Sequence, residues 1–321
     1  MNTKIILNKK YLPNKKNGGI PPTCPDEKFR YVEIPCGYCY ECRAKKSRDW
    51  SIRINEEIKN SKMSDFLTLT ISNEEYKKLS NELYKELRYN QISLDSIAAL
   101  AIRRFLENVR KYNKKSVRHW AITEKGQKGT KRLHIHMIVF DPISRDYKKY
   151  WKYGHIYIGE YCNERTAAYI VKYMLKKDEI NSEFKPRVFA SPGIGKSFIN
   201  GRNEQNFDNE ETREFYRFKN GTKSALPKYY RDKLYNENQR LYLWGKKIDE
   251  NITYIGGEKL KDYTAAEINS IKNYYRKKYQ QIHGDKYKIE EELLIKRREE
   301  RENKHKKFYQ PTRYFLESKE E

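Results

Sequence analysis

Leu133-His134-Ile135-His136-Met137-Ile138-Val139-Phe140 decides how this chain folds. The run is apolar and β-branched, so it forms a strand, and successive side chains on a strand point to opposite faces. His134 and His136 therefore share one face, while Leu133, Ile135 and Met137 turn toward a core on the other. The chain has 6 histidines in all, and two of them stand here side by side. Two neutral imidazoles on a stiff support can grip one divalent cation. A pair of surface histidines on a half-exposed strand is the plainer alternative.

Just upstream, Val117 to Thr123 reads as a second strand. Lys125-Gly126-Gln127-Lys128-Gly129-Thr130 then supplies the glycines of a hairpin turn. Glu124 precedes that turn, and a closed hairpin brings its carboxylate to the histidines as a third ligand. Further out, Phe66 to Ile71 alternates apolar residues with threonine, the mark of a strand with one buried face. Arg43 to Asn60 reads as a helix, with Trp50, Ile54 and Ile58 on one stripe. Ser93 to Tyr112 reads as another, through Ile97, Ala101, Phe105 and Val109. Gly154 to Gly159 suits a short strand with Ile156 and Ile158 on one side. Thr166 to Lys177 suits a helix with Thr166 as its N-cap.

That order predicts an α+β fold, a central and mostly antiparallel sheet flanked by helices. Residues 1–35 read as loop or extended chain, and residues 200–240 resist assignment. Thr264 to Glu300 carries the charge pattern of solvated helices, and the final stretch is expected to be mobile.

The last predicted helix holds a second pattern, Tyr169-Ile170-Val171-Lys172-Tyr173-Met174-Leu175-Lys176. Tyrosines four apart stack on one helix face. Each has a lysine three residues on, Lys172 after Tyr169 and Lys176 after Tyr173. A phenol is a weak nucleophile at neutral pH, and a close ammonium favours its phenolate or screens a phosphate under attack. In a chain with 28 tyrosines, rings packed against a sheet are the ordinary alternative.

The two patterns together suit one chemistry. A cation on the histidine face withdraws charge from a phosphate, and a tyrosine oxygen attacks the phosphorus. A second tyrosine allows a return attack.

The charge balance agrees. Lys+Arg number 68 against 44 Asp+Glu, a net +24, which implies a polyanionic partner. From Lys261 onward there are 16 Lys+Arg against 12 Asp+Glu, a surplus of +4, so +20 lies in the part read as globular. No apolar run approaches the ~20 residues of a transmembrane helix. No secretory leader is legible either, so a soluble, intracellular protein with no membrane partner is expected.

Three of the 5 cysteines lie in Cys36-x-x-Cys39-x-x-Cys42, with Cys24 upstream. Thiolates so spaced favour a soft metal, and a structural zinc site with Cys24 as fourth ligand is one reading. Free thiols are another, and an iron–sulfur cluster a third. Gly193-Ile194-Gly195-Lys196-Ser197 superficially suggests a phosphate loop, but the pattern needs a glycine at position 190, where Ala190 stands. A turn beside a nucleic-acid channel, with Lys196 near phosphate, is expected instead.

These residues resemble the motifs of the HUH endonuclease superfamily, most closely the rolling-circle replication initiators of microviruses and their gokushovirus branch. Similarity extends to Pro35 through Arg43, Phe66 to Thr70, the hairpin from Trp120 to Phe140, Tyr169 to Lys177, Ser191 to Gly195, and Leu226 to Arg231. The resemblance implies His134, His136 and Glu124 as ligands of Mg2+ or Mn2+, and Tyr169 and Tyr173 as nucleophiles assisted by Lys172 and Lys176. It implies an N-terminal cysteine-containing segment over 1–45, an HUH endonuclease domain over 46–235 and a charged helical extension over 236–321.

The implied activity is a site-specific nickase and ligase with a 5′-phosphotyrosine intermediate, acting in the cytoplasm of an infected bacterial host. Its partners would be single-stranded and supercoiled viral DNA at an origin, with a host helicase and polymerase. A plasmid mobilisation relaxase or transposase of the same superfamily, or a non-enzymatic zinc-containing DNA-binding regulator, would be the alternatives.

Overall fold

The computed structural model describes residues 3–35, 40–87, 93–126, 131–159, 161–175, 184, 186–200, 205–255 and 258–283. The chain divides into two compact units, Asn2–Leu243 and a second beginning at Trp244. Near the start, β1 (Thr3–Leu7) pairs antiparallel with β2 (Tyr31–Pro35), where the sequence suggests only loop or extended chain. The excursion between them is held by asparagine amides. Asn14 and Asn17 each donate through Nδ2 to the Leu12 carbonyl, at 2.7 and 2.8 Å, so polar residues tie this segment down without an apolar pattern.

α1 (Tyr40–Asn60) follows, then β3 (Ser64–Thr70). α2 (Asn73–Leu87) is a helix that the sequence reading did not identify. Its signal lies in Tyr76, Leu79 and Leu83, and in Ser72, whose Oγ accepts from the Glu75 amide at 3.2 Å. α3 (Leu94–Asn113) starts at the Ser93 cap and buries Ile97, Ala101, Phe105 and Val109, as its periodicity predicts. β4 (Arg118–Lys125) and β5 (Leu133–Phe140) form the expected antiparallel pair. The turn residues 127–130 lie outside the described residues. The single turn α4 (Tyr147–Tyr150), β6 (Ile156–Gly159), α5 (Glu164–Val171) and β7 (Val188–Ala190) complete this part.

The five strands form one sheet in the order β6-β3-β5-β4-β7, every pairing antiparallel. The expected α+β architecture is therefore present. One face packs on α2, α3 and α4 through Leu67, Leu69, Ile135, Met137 and Val139, all fully buried. Each such side chain contributes roughly 1.5–3 kcal/mol relative to exposure. Asp65 is wholly buried at the edge of this face. Arg145 Nε and Tyr147 Oη donate to it at 3.0 and 2.8 Å, and burial beside that carboxylate pushes the Tyr147 phenol well above its usual range.

The opposite face carries Trp120, Ile122, Ile138 and Phe140, which pack on Ile54 of α1 and on Ala167 and Ile170 of α5. Trp50 and Ile58 flank Ile54 there, as their stripe predicts. This packing covers only one end of that face.

α1 has a further side. Ile52 joins Phe198, Tyr216, Leu226 and Tyr230 in a third cluster. This cluster assembles β8 (Phe215–Arg217), β9 (Lys223–Ala225) and α6 (Lys228–Leu234), the segment the sequence left unassigned. Its strands are three residues each, too short to show a period. Buried Glu56 of α1 accepts from Tyr216 Oη and Lys59 Nζ, so the attachment is polar as well.

The Gly193-Ile194-Gly195 turn is locked to this scaffold. Gly195 has φ +75°, and a Cβ there would stand 2.5 Å from Tyr230 Oη and 2.7 Å from the Arg53 carbonyl, so only glycine fits. Glu57 accepts from the Gly195 amide at 2.6 Å, and Arg53 Nε donates to the Ile194 carbonyl at 3.0 Å. Its glycines thus serve close packing on α1. Lys196 just beyond is exposed.

α7 (Glu237–Asp249) runs from the first unit into the second. The second unit adds the hairpin of β10 (Ile252–Ile255) and β11 (Glu258–Lys261), then α8 (Ala265–His283). Thr264 and Glu267 cap α8 reciprocally, at 3.2 and 2.7 Å. Among the described residues no helix is long and apolar enough to cross a membrane.

Candidate functional site

β5 is the central strand, and its register sets the site. Thr68 lies opposite His136 and Thr70 opposite His134 on β3, while Glu124 lies opposite His134 on β4. All five side chains belong to the face left open beyond the α1 and α5 packing. Thr70 Oγ1 is 2.9 Å from His134 Nδ1, and Thr68 Oγ1 is 3.1 Å from His136 Nδ1. With Nδ1–H donating to the threonine oxygens, each Nε2 carries the lone pair, the tautomer a metal ligand requires.

The two threonines are functional residues that the sequence reading used only to mark a strand. Their signal was the alternation Phe66-Leu67-Thr68-Leu69-Thr70. Gly126 is a second such residue, since a Cβ there would press on His134 Nε2 at 3.2 Å. Its missing side chain leaves room for the ring.

Glu124 reaches the site as expected, diagonally across the ladder, with Oε2 2.7 Å from His136 Nε2. The donor set, two imidazoles and one carboxylate, fits a divalent cation in kind. In this conformation the carboxylate closes on His136, and among the described residues no three His, Cys, Asp or Glu side chains converge on one point as ligands.

α5 delivers the tyrosines. Asn163 caps it in a reciprocal box with Thr166, so Thr166 stands three residues inside the cap position assigned to it. Asn163 Oδ1 accepts from the Arg165 and Thr166 amides together, at 2.9 and 3.1 Å, which makes it the better cap. The helix was expected to run to Lys177 but tightens into a 3-10 turn over Lys172–Met174. Lys176 lies outside the described residues.

Tyr169 and Tyr173 still meet, with 2.6 Å between their hydroxyl oxygens. The Tyr173 ring lies on the His136 imidazole, centroids 4.1 Å apart and planes within 9°. Phe66 meets Tyr169 edge-on at 5.9 Å. Two patterns 33 to 39 residues apart in sequence, counted from His136 to Tyr169 and from His134 to Tyr173, thus form one constellation.

The two phenols differ in setting. Tyr173 is 5% exposed and Tyr169 43%. Burial, the hydrogen bond with Tyr169 and the charge of Glu124 all push the Tyr173 phenol well above its usual value. Lys172 was expected to favour a phenolate. Its Nζ instead lies over the ring faces, 3.7 Å from the Tyr169 centroid and 5.5 Å from that of Tyr173, a cation–π placement.

Of the cysteines, Cys24 is partly exposed, with Sγ 3.1 Å from the Asp26 carbonyl oxygen, and Cys42 is buried in α1. Cys36 and Cys39 lie outside the described residues.

Comparison with known proteins centres on this same region. Residues 64–178 match a family model described as replication-associated protein ORF2, a span that opens at β3 and includes Glu124, both histidines and both tyrosines. The chain is also similar to the replication-associated protein ORF4 of Chlamydia phage 1, 24% identical over 237 residues, covering 63% of this chain and 53% of that protein. It thus spans about half the length of that relative. No solved structure matches. These findings bear out the resemblance to rolling-circle replication initiators of the microvirus type.

Proposed function

We propose that this chain is a rolling-circle replication initiator, a nicking and strand-joining enzyme of the HUH type. One observation carries the reading. A tyrosine whose hydroxyl touches a second tyrosine lies flat on the histidine that contacts Glu124, at 4.1 Å. Nucleophile and cation-ligand groups therefore face one phosphate.

Tyr169, the exposed member of the pair, makes the first attack. Its oxygen bonds to phosphorus and gives up its proton, and the P–O3′ bond breaks. The 3′ oxygen leaves and takes up a proton, while the 5′ end stays on the enzyme. Tyr173 stays protonated in its buried position and donates to Tyr169, which orients the attacking oxygen. It then serves in the return attack. Lys172 holds the Tyr169 ring by its face. His134, His136 and Glu124 would hold Mg2+ or Mn2+, which would supply Lewis-acid stabilisation of charge on the phosphate oxygens.

The +24 charge draws DNA to the protein, and binding should weaken steeply with salt. A host helicase and polymerase would do the unwinding and synthesis, in the cytoplasm of the infected cell. Cys24, Cys36, Cys39 and Cys42 would form a structural zinc site.

The test is adduct formation. The protein is mixed with Mn2+ and single-stranded oligonucleotides tiling the DNA that encodes it, then denatured. A covalent protein–DNA species mapping to Tyr169 is expected. An adduct that survives replacement of both tyrosines by Phe, or no adduct from the native protein, would end the proposal.

A further inference from the structure

The outermost strand of the five-stranded sheet carries a feature that the chemistry above leaves unused. Gly159 of β6 pairs with Phe66 and Tyr157 with Thr68. Tyr157 and Gly159 therefore face the same side as His136, while Ile156 and Ile158 pack into the α2–α3 core. Tyr157 is 60% exposed. A Cβ built on Gly159 would stand 3.5 Å from the Phe66 carbonyl oxygen, 3.6 Å from Phe66 Cβ and 3.7 Å from Tyr157 Cε1.

Those are ordinary contacts, and Gly159 does not have a positive φ. Neither packing nor backbone conformation demands glycine there, although glycine weakens a strand. A strand glycine without such a need marks a place where another molecule comes close. The bare floor lies between the Tyr157 ring and Phe66, and Phe66 in turn touches Tyr169.

We propose that Tyr157 and the open floor at Gly159 form a nucleobase-stacking subsite for a nucleotide close to the scissile phosphate in a single DNA strand. The inference rests on the nicking function proposed above. An exposed ring beside a gap suits the flat face of an unpaired base, and such stacking tolerates any sequence. Bases in a duplex already have their faces covered. Arg165 and Lys172 are exposed on neighbouring α5, where they favour a polyanion over an apolar protein partner.

Binding of a labelled single strand and of the matching duplex tests this. Tyr157→Ala should weaken single-strand binding about tenfold to hundredfold and leave duplex binding as it was. Tyr157→Phe, which keeps the ring, should restore the affinity. Gly159→Val should reproduce the loss by filling the floor. An abasic site at the stacked position should impose the same loss on the native protein and no further loss on Tyr157→Ala.

Single-strand affinity unchanged in both Tyr157→Ala and Gly159→Val overturns the subsite. So does equal weakening toward duplex, or failure of Tyr157→Phe to restore binding. The nicking reading fails separately. If the native protein forms no tyrosine adduct while single-strand binding still depends on Tyr157, the subsite stands and the chemistry falls.

Discussion

The two faces of the sheet are built from the same strands by the same alternation, yet they do different work. On one face Leu67, Leu69, Ile135 and Met137 are fully buried against α2, α3 and α4. On the other, one residue along each strand, Thr68, Thr70, His134 and His136 bond to one another instead. The first face is held by burial alone, which is non-directional and tolerant of shape. The second is held by ring nitrogens, hydroxyls and a carboxylate at fixed distances. Stability comes from the apolar face, and the open face can give up packing for chemistry.

The largest expected effect breaks the comparison on the open face. Tyr169→Phe should reduce adduct formation to background with an unchanged melting temperature, measured by gel shift after denaturation and by thermal scan. His136→Ala comes next. Cleavage should fall by two or more orders of magnitude, because the change removes both a ligand and the surface beneath Tyr173, while salt-sensitive DNA binding persists.

A change on the closed face should do the reverse. Ile135→Ala leaves a cavity and should cost about 2–5 kcal/mol of unfolding free energy. In denaturant titrations its midpoint should drop, while the folded fraction keeps its specific activity. The smallest effect is the sharpest. Thr70→Val keeps volume and strand preference but removes the oxygen at His134 Nδ1. Metal affinity, followed by Mn2+ titration of cleavage, should weaken about tenfold to hundredfold, with little change in stability.

Much of the fold was legible because the signals were strong and local. The stripe Ile97, Ala101, Phe105 and Val109 and the alternation in β5 repeat at periods that only one conformation buries. α2 escaped because Lys, Glu and Asn fill most of its length and only Leu79 and Leu83 are buried from it. β8 and β9 escaped because a pairing of three residues has no period. The end of α5 was misjudged for a different reason. Its pattern continues to Lys177, but tertiary packing of Tyr173 on His136 accompanies a tightened final turn.

By itself, the sequence determined which residue types were available to the site, that His134 and His136 share a face, and that Tyr169 and Tyr173 share another. Spacing on a regular element is a local property, and it survives any tertiary arrangement. Only the tertiary structure decided that these faces meet, that Thr68 and Thr70 hold the imidazoles, and that one tyrosine is buried while its neighbour is open. Those facts depend on strand register and on helix packing across the sheet. Both are set by the burial of the whole core, which no single stretch of chain encodes.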